Sequence, residues 1–93
     1  MSLNFDWDRR KALSNAAKHG VTFVEASTAF TDPLSVTVHD PLHSGYEERL
    51  VLFGQANTGR LLAVMFTEHG NTLRIISARL MSSRERRQFK EGG

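Results

Sequence analysis

The sequence contains no cysteine and no long apolar run. Without cysteine the chain cannot form disulfides, thiolate zinc sites or a cysteine nucleophile, and it suits the reducing cytoplasm, where we expect the protein to reside. The longest apolar run reaches only from Leu61 to Phe66, whereas a membrane-spanning helix needs about 20 apolar residues. We therefore expect no signal peptide and no membrane partner.

Glycine-rich phosphate loops and dinucleotide-binding fingerprints are absent too, which argues against a nucleotide-dependent enzyme and predicts no cofactor. The four histidines include the pattern His39-Asp40-x-x-His43. Pro41 excludes a regular helix there, and neither a cysteine nor a third nearby ligand completes a zinc set. We expect no metal site.

Charge is distributed unevenly along the chain, although the net charge is only +2. Residues 20–48 contain no lysine or arginine but five acidic residues, whereas the segment from Arg74 to Lys90 contains six basic residues and one acid, Glu85. Such polarity lets one surface attract a polyanion while another takes a basic partner. A solvated helix face that carries arginine is the ordinary alternative.

The length of 93 residues with 40% apolar content fits one compact domain, residues 1–93. Two helices are predicted near the start. Asp8 is a suitable N-cap for a helix through Lys18, and Gly20, in the left-handed conformation, would end this helix. Thr22-x-x-Glu25 is a capping-box pattern that begins a second helix, which ends before Asp32-Pro33.

Four segments rich in Val, Ile, Leu, Phe and Thr predict strands, and short turns join the last three into an antiparallel meander. Residues 4–7 could form a further short strand. Ser82-x-x-Glu85 then begins a helix that runs to about Lys90. We predict an α+β fold, with two N-terminal helices covering one face of an antiparallel sheet of about four strands, and a C-terminal helix. The four strands are Ser35 to His39, Arg49 to Gly54, Arg60 to Thr67 and Thr72 to Arg79.

The last strand carries two arginines that the two-residue period of a strand places on opposite faces, Arg74 and Arg79. A buried, unpaired arginine is very costly. We therefore expect at least one of them to lie at a sheet end or beside a polar partner.

Two long motifs resemble the BrnT family of toxins. The first is Phe5-x-Trp7-Asp8-x-x-Lys11-x-x-x-Asn15-x-x-Lys18-His19-Gly20-Val21-x-Phe23, and the second is Arg-x-Ile-Ser-Ala-Arg, which ends at Arg79. Between them lie Asp32-Pro33, Glu48-Arg49, Gly54 and Arg60, so that the resemblance extends from residue 5 to about residue 89. It implies the toxin of a type II toxin–antitoxin pair, a fold similar to RelE toxins, ribonuclease activity, and neutralisation by a BrnA-type antitoxin that binds DNA.

RNA cleavage without a metal needs a base for the 2′-hydroxyl, an acid for the departing 5′ oxygen and fixed cations beside the phosphorane. The candidate proton carriers are His19, because imidazole exchanges protons near neutral pH, and Glu48, at the end of the loop that begins at Asp40. The alternatives are that His19 complements the helix dipole and that Glu48 is a surface carboxylate or ion-pair partner. The candidate cations are strand arginines that could grip one phosphate, Arg49, Arg74 and Arg79.

Other basic side chains are candidates for positioning the RNA backbone, namely Lys18, Arg60, Arg84, Arg86 and Arg87. Lys11 and Asn15 lie one helical turn apart and could bond a common neighbour or form an ordinary surface pair. We expect an antitoxin segment to cover the three strand arginines and so to compete with RNA. Operator DNA is then contacted only through the antitoxin, and pairing with a second copy of the chain is left open.

Two functions fit this composition. The leading hypothesis is a metal-independent endoribonuclease toxin that cleaves RNA by 2′-hydroxyl attack, and the alternative is a non-catalytic module that binds nucleic acid or the antitoxin. Both predict salt-dependent binding of nucleic acid. Only the enzyme predicts that replacing His19 or Arg79 abolishes cleavage while the fold survives.

Overall fold

The computed structural model describes residues 3–40, 42, 45 and 47–92. In this part of the chain there are five strands, three α-helices and a 3₁₀ turn, Ala29–Thr31. The strands are β1 Asn4–Trp7, β2 Val36–His39, β3 Leu50–Gln55, β4 Leu61–His69 and β5 Thr72–Leu80. The helices are α1 Arg9–His19, α2 Phe23–Thr28 and α3 Ser83–Lys90. The long loop predicted between Asp40 and Glu48 lies partly outside the described residues.

The ends of α1 are formed by the two residues that the sequence indicates. The Asp8 carboxylate accepts hydrogen bonds from the backbone N–H groups of Arg10, at 2.8 Å, and Lys11, at 3.1 Å. Gly20 ends the helix with φ of 69°, in the left-handed region, and its N–H donates to the carbonyl of Ala16. Both predictions are confirmed, because each depends only on neighbours within one turn.

The capping box predicted for α3 forms completely, whereas the one predicted for α2 forms by half. Ser82 and Glu85 each bond the backbone N–H of the other. Thr22 accepts a hydrogen bond from the Glu25 N–H at 3.0 Å, but the Glu25 carboxylate bonds the side chain of Arg60 instead. A partner distant in sequence therefore replaces the reciprocal half of the box.

The sheet has five strands in the order β1-β5-β4-β3-β2. The antiparallel meander is confirmed, since β2, β3, β4 and β5 pair antiparallel in succession. The prediction of about four antiparallel strands is corrected, because β1 adds a fifth strand and pairs parallel to β5. The two N-terminal helices carry the chain from β1 at one edge to β2 at the other. The likeness to the RelE fold stays a prediction.

The hydrophobic core lies between one face of the sheet and the segment that contains α2 and the 3₁₀ turn. This segment contributes Phe23, Ala26 and Ala29, and the facing strands contribute alternate apolar residues. The buried strand residues of this cluster are Leu50, Leu52, Leu62, Val64, Phe66, Ile75 and Ala78. The opposite face of the sheet, which we call the outer face, carries polar residues such as Thr67 of β4 and its pairing partner Arg74 of β5.

Helix α1 lies beside the part of β5 that β1 does not reach. The contact is made by the buried side-chain amide of Asn15, whose oxygen accepts from the N–H of Ala78 at 3.1 Å and whose nitrogen donates to the Ala78 carbonyl at 2.8 Å. The same nitrogen donates to the Val21 carbonyl at 2.9 Å. Asn15 thus pairs with a strand edge as another strand would, and the proposed surface pair with Lys11 is not what holds it.

A β-bulge in β5 changes which faces its arginines occupy. Phe66 of β4 pairs with Ile75, but the preceding residue Met65 pairs with Ser77, so Ile76 is an extra residue. Arg74 and Arg79 pair with Thr67 and Ala63 and therefore share the outer face. The prediction of opposite faces is wrong, because one extra residue inverts the alternation beyond it. Both arginines lie beside carboxylates, as expected.

Candidate active site

A cavity of about 350 Å³ brings together cationic side chains from three separate elements. Lys11 is on α1, Arg49 directly precedes β3, and Arg74 is on β5. Strand β5 pairs with β4. The other residues around this cationic cavity are Gly45, Glu47, Thr67 and Ile76. Three cations and one carboxylate around a space of this size suit the binding of a phosphodiester and the removal of a proton next to it.

Arg49 and Arg74 are the two predicted catalytic residues that the structure brings together. Arg74 lies opposite Thr67 on the outer face, and its guanidinium bonds the carboxylate of Asp6 on the neighbouring strand β1. Arg49 is half-buried, and its carbonyl accepts a hydrogen bond from the Asp40 N–H at 2.9 Å. Backbone hydrogen bonds therefore hold the main chain at Arg49 and at Arg74, and the two cationic side chains project from these positions.

Glu47 lines the same cavity and is held by His69. Its Oε2 lies 2.6 Å from Nε2 of His69, and that Nε2 lies 3.1 Å from the hydroxyl oxygen of Thr67. Thr67 is only 3% exposed. Neither Glu47 nor His69 was predicted as a site residue, because Glu47 is adjacent to the more prominent Glu48 and His69 belongs to a predicted hairpin turn.

Glu48 lies next to the cationic cavity but does not line it. It contributes to a second cavity of about 370 Å³ that also includes Glu47, Glu68 and His69. Its Oε1 is 3.4 Å from Nε2 of His39, and both side chains are exposed. Glu47 and Glu48 are adjacent in sequence but lie in different surroundings. Glu47 lines the cationic cavity, whereas Glu48 lies beside His39 of β2.

Arg79 bonds a residue of helix α3 and does not line the cationic cavity. Its two terminal nitrogens donate to the two carboxylate oxygens of Glu85, at 2.7 and 3.0 Å. This side-chain bond with Arg79 lowers the pKa of Glu85 to about 2 and raises the pKa of Arg79. The pairing partners of Arg79 and Arg74 on β4, Ala63 and Thr67, are four residues apart, which is about 13 Å along a strand.

His19 lies at the opposite end of the sheet from the cationic cavity. It ends α1, next to Gly20, whose carbonyl accepts a hydrogen bond from the Arg60 guanidinium at 2.8 Å. Arg60 directly precedes β4 and Thr67 lies near its far end, seven residues away, or about 23 Å along a strand. The structure therefore does not bring His19 to Arg49 and Arg74.

The predicted RNA-positioning residues fall into two groups. Arg60 and Arg86 bond the protein itself: Arg60 donates to Glu25 at 2.8 Å, which lowers the pKa of that carboxyl, and Arg86 donates to the Met81 carbonyl at 2.9 Å. The remaining three are exposed, one on the last turn of α1 and two on α3, namely Lys18, Arg84 and Arg87.

The described residues contain neither a metal-binding cluster nor a helix that could span a membrane. No group of three or more His, Cys, Asp or Glu side chains in residues 3–40, 42, 45 and 47–92 could hold a metal ion. His43 of the predicted pattern lies outside these residues. Across the same ranges, none of the helices has the length and apolar character needed to cross a bilayer.

Comparison with known proteins gives a family. The family model described as the ribonuclease toxin BrnT of type II toxin–antitoxin systems matches residues 7–85. The chain is also similar to the crystal structure of the Brucella abortus ribonuclease toxin BrnT, with 27% sequence identity and a TM-score of 0.64. That match covers 88% of this chain and 100% of the Brucella chain. No curated protein matches the sequence.

Proposed function

Since the chain belongs to the BrnT family of ribonuclease toxins of type II toxin–antitoxin systems, we propose that it is a metal-independent endoribonuclease and that cleavage takes place in the cationic cavity. The observation that carries this proposal is the convergence of Lys11, Arg49 and Arg74 with a carboxylate around one space. Three elements supply the cations, so an ordinary solvated helix face does not account for the cluster.

The proposed reaction is transesterification of the RNA backbone. The 2′-oxygen attacks the adjacent phosphorus, and negative charge grows on the phosphorane oxygens. Arg49 and Arg74 offer rigid guanidinium forks that stabilise this charge, and Lys11 adds a third positive charge. The products are a 2′,3′-cyclic phosphate and a free 5′-hydroxyl.

The exposed basic residues away from the cavity are proposed to guide the RNA to it. Arg84 and Arg87 on α3 and Lys18 on α1 attract the backbone without contacting the reacting phosphate. Arg79 is proposed to act indirectly, by holding α3 against the outer face. His19, which lies away from the arginines, is proposed to contact RNA rather than to transfer the proton.

We also propose a BrnA-like antitoxin as the partner, acting with the toxin in the cytoplasm. An acidic or helical antitoxin segment that covers Arg49 and Arg74 would compete directly with RNA for the same cations. Contact with operator DNA would then be made by the antitoxin alone.

The test is cleavage of a labelled RNA by the purified, antitoxin-free protein in EDTA. A DNA of the same sequence is the matched control, because it offers the same phosphates without the attacking 2′-hydroxyl. We expect the RNA to be cut to cyclic phosphate ends and the DNA to be bound but left intact. Binding of both without cleavage would favour the non-catalytic module, and cleavage that requires a metal would refute the proposed chemistry.

A further inference from the structure

We propose that Glu47 is the general base of this ribonuclease and that His69 positions its carboxylate. The inference rests on the proposed function and deepens it, because it assigns the proton acceptor that the reaction requires. Neither residue belongs to the motifs that carry the family resemblance. Three observations support it: the hydrogen bond between the two side chains, the place of Glu47 in the cationic cavity, and the geometry of the other candidate carboxylate.

The contact between Glu47 and His69 fixes the position of the proton on the imidazole. Oε2 of Glu47 and Nε2 of His69 are 2.6 Å apart, which is close enough for a charge-assisted hydrogen bond. An ionised carboxylate only accepts hydrogen bonds, so Nε2 must carry the hydrogen. The hydroxyl oxygen of Thr67, on a buried strand position, lies 3.1 Å from the same nitrogen and gives the ring a second polar contact.

Glu47 can reach a substrate while it keeps this bond. Its side chain is 57% exposed, and it lines both the cationic cavity and the neighbouring acidic one. A carboxylate has two oxygens with about four lone-pair sites, so bonding His69 through Oε2 leaves acceptor capacity for a 2′-hydroxyl. The positive residues Lys11, Arg49 and Arg74 line the same cavity as Glu47 and would bind the phosphate there.

The sequence favoured Glu48 as the carboxylate base, and the structure favours its neighbour. Glu48 lies 3.4 Å from His39 on the edge strand β2, and it is absent from the residues that line the cationic cavity. Glu68, a third carboxylate nearby, also lines only the acidic cavity. Asp6 bonds Arg74 but lines neither cavity. Of these four carboxylates, Glu47 alone lines the cationic cavity.

In the proposed step, protons pass between the RNA, Glu47 and water. The Glu47 carboxylate takes the proton of the 2′-hydroxyl as the 2′-oxygen forms its bond to phosphorus. The bond between phosphorus and the 5′ oxygen breaks, and the departing 5′ oxygen takes a proton from water. Protonated Glu47 then returns its proton to the solvent. His69 touches neither reacting oxygen, and it acts only by holding Glu47 in place.

The first test compares Glu47→Gln with the wild-type protein in the EDTA assay. Glutamine keeps the size of the side chain but cannot accept the proton. We expect kcat to fall by roughly 10²- to 10⁴-fold, while the Kd for RNA is unchanged or lower because a negative charge beside the phosphate is lost. Glu68→Gln makes the same change of charge in the neighbouring cavity and should keep kcat within about threefold of wild type.

Three results would overturn the assignment. The first is a Glu47→Gln variant that cleaves at close to the wild-type rate, and the second is loss of kcat on Glu48→Gln instead. The third is weaker RNA binding that accounts for the whole loss of activity. In each case the active wild-type protein leaves the proposed ribonuclease function standing. A wild-type protein that does not cleave RNA overturns both proposals together.

The role of His69 is tested by two substitutions that differ in one property. His69→Gln retains an N–H donor that can reach Glu47, whereas His69→Leu does not. We expect kcat to fall by about tenfold or more in His69→Leu with little change in KM, and to be largely restored in His69→Gln. Equal losses in the two variants, or a loss confined to KM, would contradict a positioning role.

Discussion

At the scale of single residues, the pairing of Glu85 with Arg79, which attaches α3 to β5, depends on pH. Both oxygens of Glu85 accept hydrogen bonds from Arg79, and this pairing lowers its pKa to about 2 from the ordinary value of 4.5. A carboxylate whose pKa is lower in the folded state stabilises the fold above its unfolded pKa. The contribution is therefore complete above about pH 4.5 and is lost as the pH falls toward about 2.

We predict that Glu85→Gln lowers the free energy of unfolding by about 1 kcal/mol at pH 7, a modest value because the Arg79 side chain is 35% exposed. The difference from wild type should shrink as the pH falls from 4.5 toward 2. Urea denaturation across this range measures it. Glu91→Gln, an exposed change of the same charge at the other end of α3, is the control, and a pH-independent gap for Glu85→Gln would contradict the prediction.

Gly54 is the residue where the core leaves no space for a side chain. A Cβ at this position would lie 3.0 Å from the carbonyl oxygen of Ala29 and 3.1 Å from Cβ of Ser35. The carbonyl belongs to the backbone and moves only if the 3₁₀ turn moves away from β3. The resemblance motif therefore includes this glycine for a packing reason, the close approach of a turn to a strand.

Gly54→Ala is expected to lower the free energy of unfolding by about 1–3 kcal/mol through overpacking. Gly45→Ala is the matched control, because a Cβ there meets nothing within 4 Å. Chemical denaturation of the two variants gives the comparison. If Gly54→Ala were as stable as Gly45→Ala, the turn would have to be free to shift, and the close packing described for Gly54 would be wrong.

At the scale of secondary-structure elements, the edge of β5 depends on one side chain of α1. Asn15 supplies both hydrogen bonds that Ala78 would otherwise exchange with a neighbouring strand. It also accepts a hydrogen bond from the Ser77 hydroxyl at 3.1 Å. The position of α1 beside β5, and with it the position of Lys11, is set by this contact.

We predict that Asn15→Ala destabilises the fold by about 2–4 kcal/mol, because it leaves buried backbone groups of Ala78 and Val21 without their partner. Asn15→Asp should be similarly harmful, since a carboxylate cannot donate to the two carbonyls. Ser14→Ala, one residue earlier and exposed, should change stability by less than about 0.5 kcal/mol. Rapid exchange of the Ala78 amide in Asn15→Ala is the direct signature, and unchanged exchange there would argue against the contact.

The elements show what a sequence can predict and what it cannot. The caps at Asp8, Gly20 and Ser82 were predicted correctly because each involves residues within one helical turn. The parallel pairing of β1 with β5 joins residues 68 positions apart, such as Asn4 and Thr72, and no local pattern encodes it. The bulge in β5 was visible only as an imperfect alternation, and the pairing register was needed to place Arg74 and Arg79 on the same face.

At the scale of the whole molecule, the fold assembles the candidate site from elements that are distant in sequence. The types of residue were predictable, since Arg49 and Arg74 were both chosen as phosphate ligands. The choice between Glu47 and Glu48 was not, because which of two adjacent carboxylates faces the cations depends on tertiary contacts with His39 and His69. His19 was selected for its chemistry alone, and the fold places it elsewhere.

Cleavage of RNA in the cationic cavity is tested most directly by the single-turnover cleavage rate of Arg74→Gln in EDTA. Arg9→Gln is the matched control, because Arg9 is exposed on α1 and residues two apart on a helix do not face each other, so it points away from Lys11. We predict that Arg74→Gln slows cleavage by roughly 10²- to 10³-fold while Arg9→Gln changes it by less than about threefold. Equal rates for the two folded variants would contradict the claim and move the active site away from this cavity.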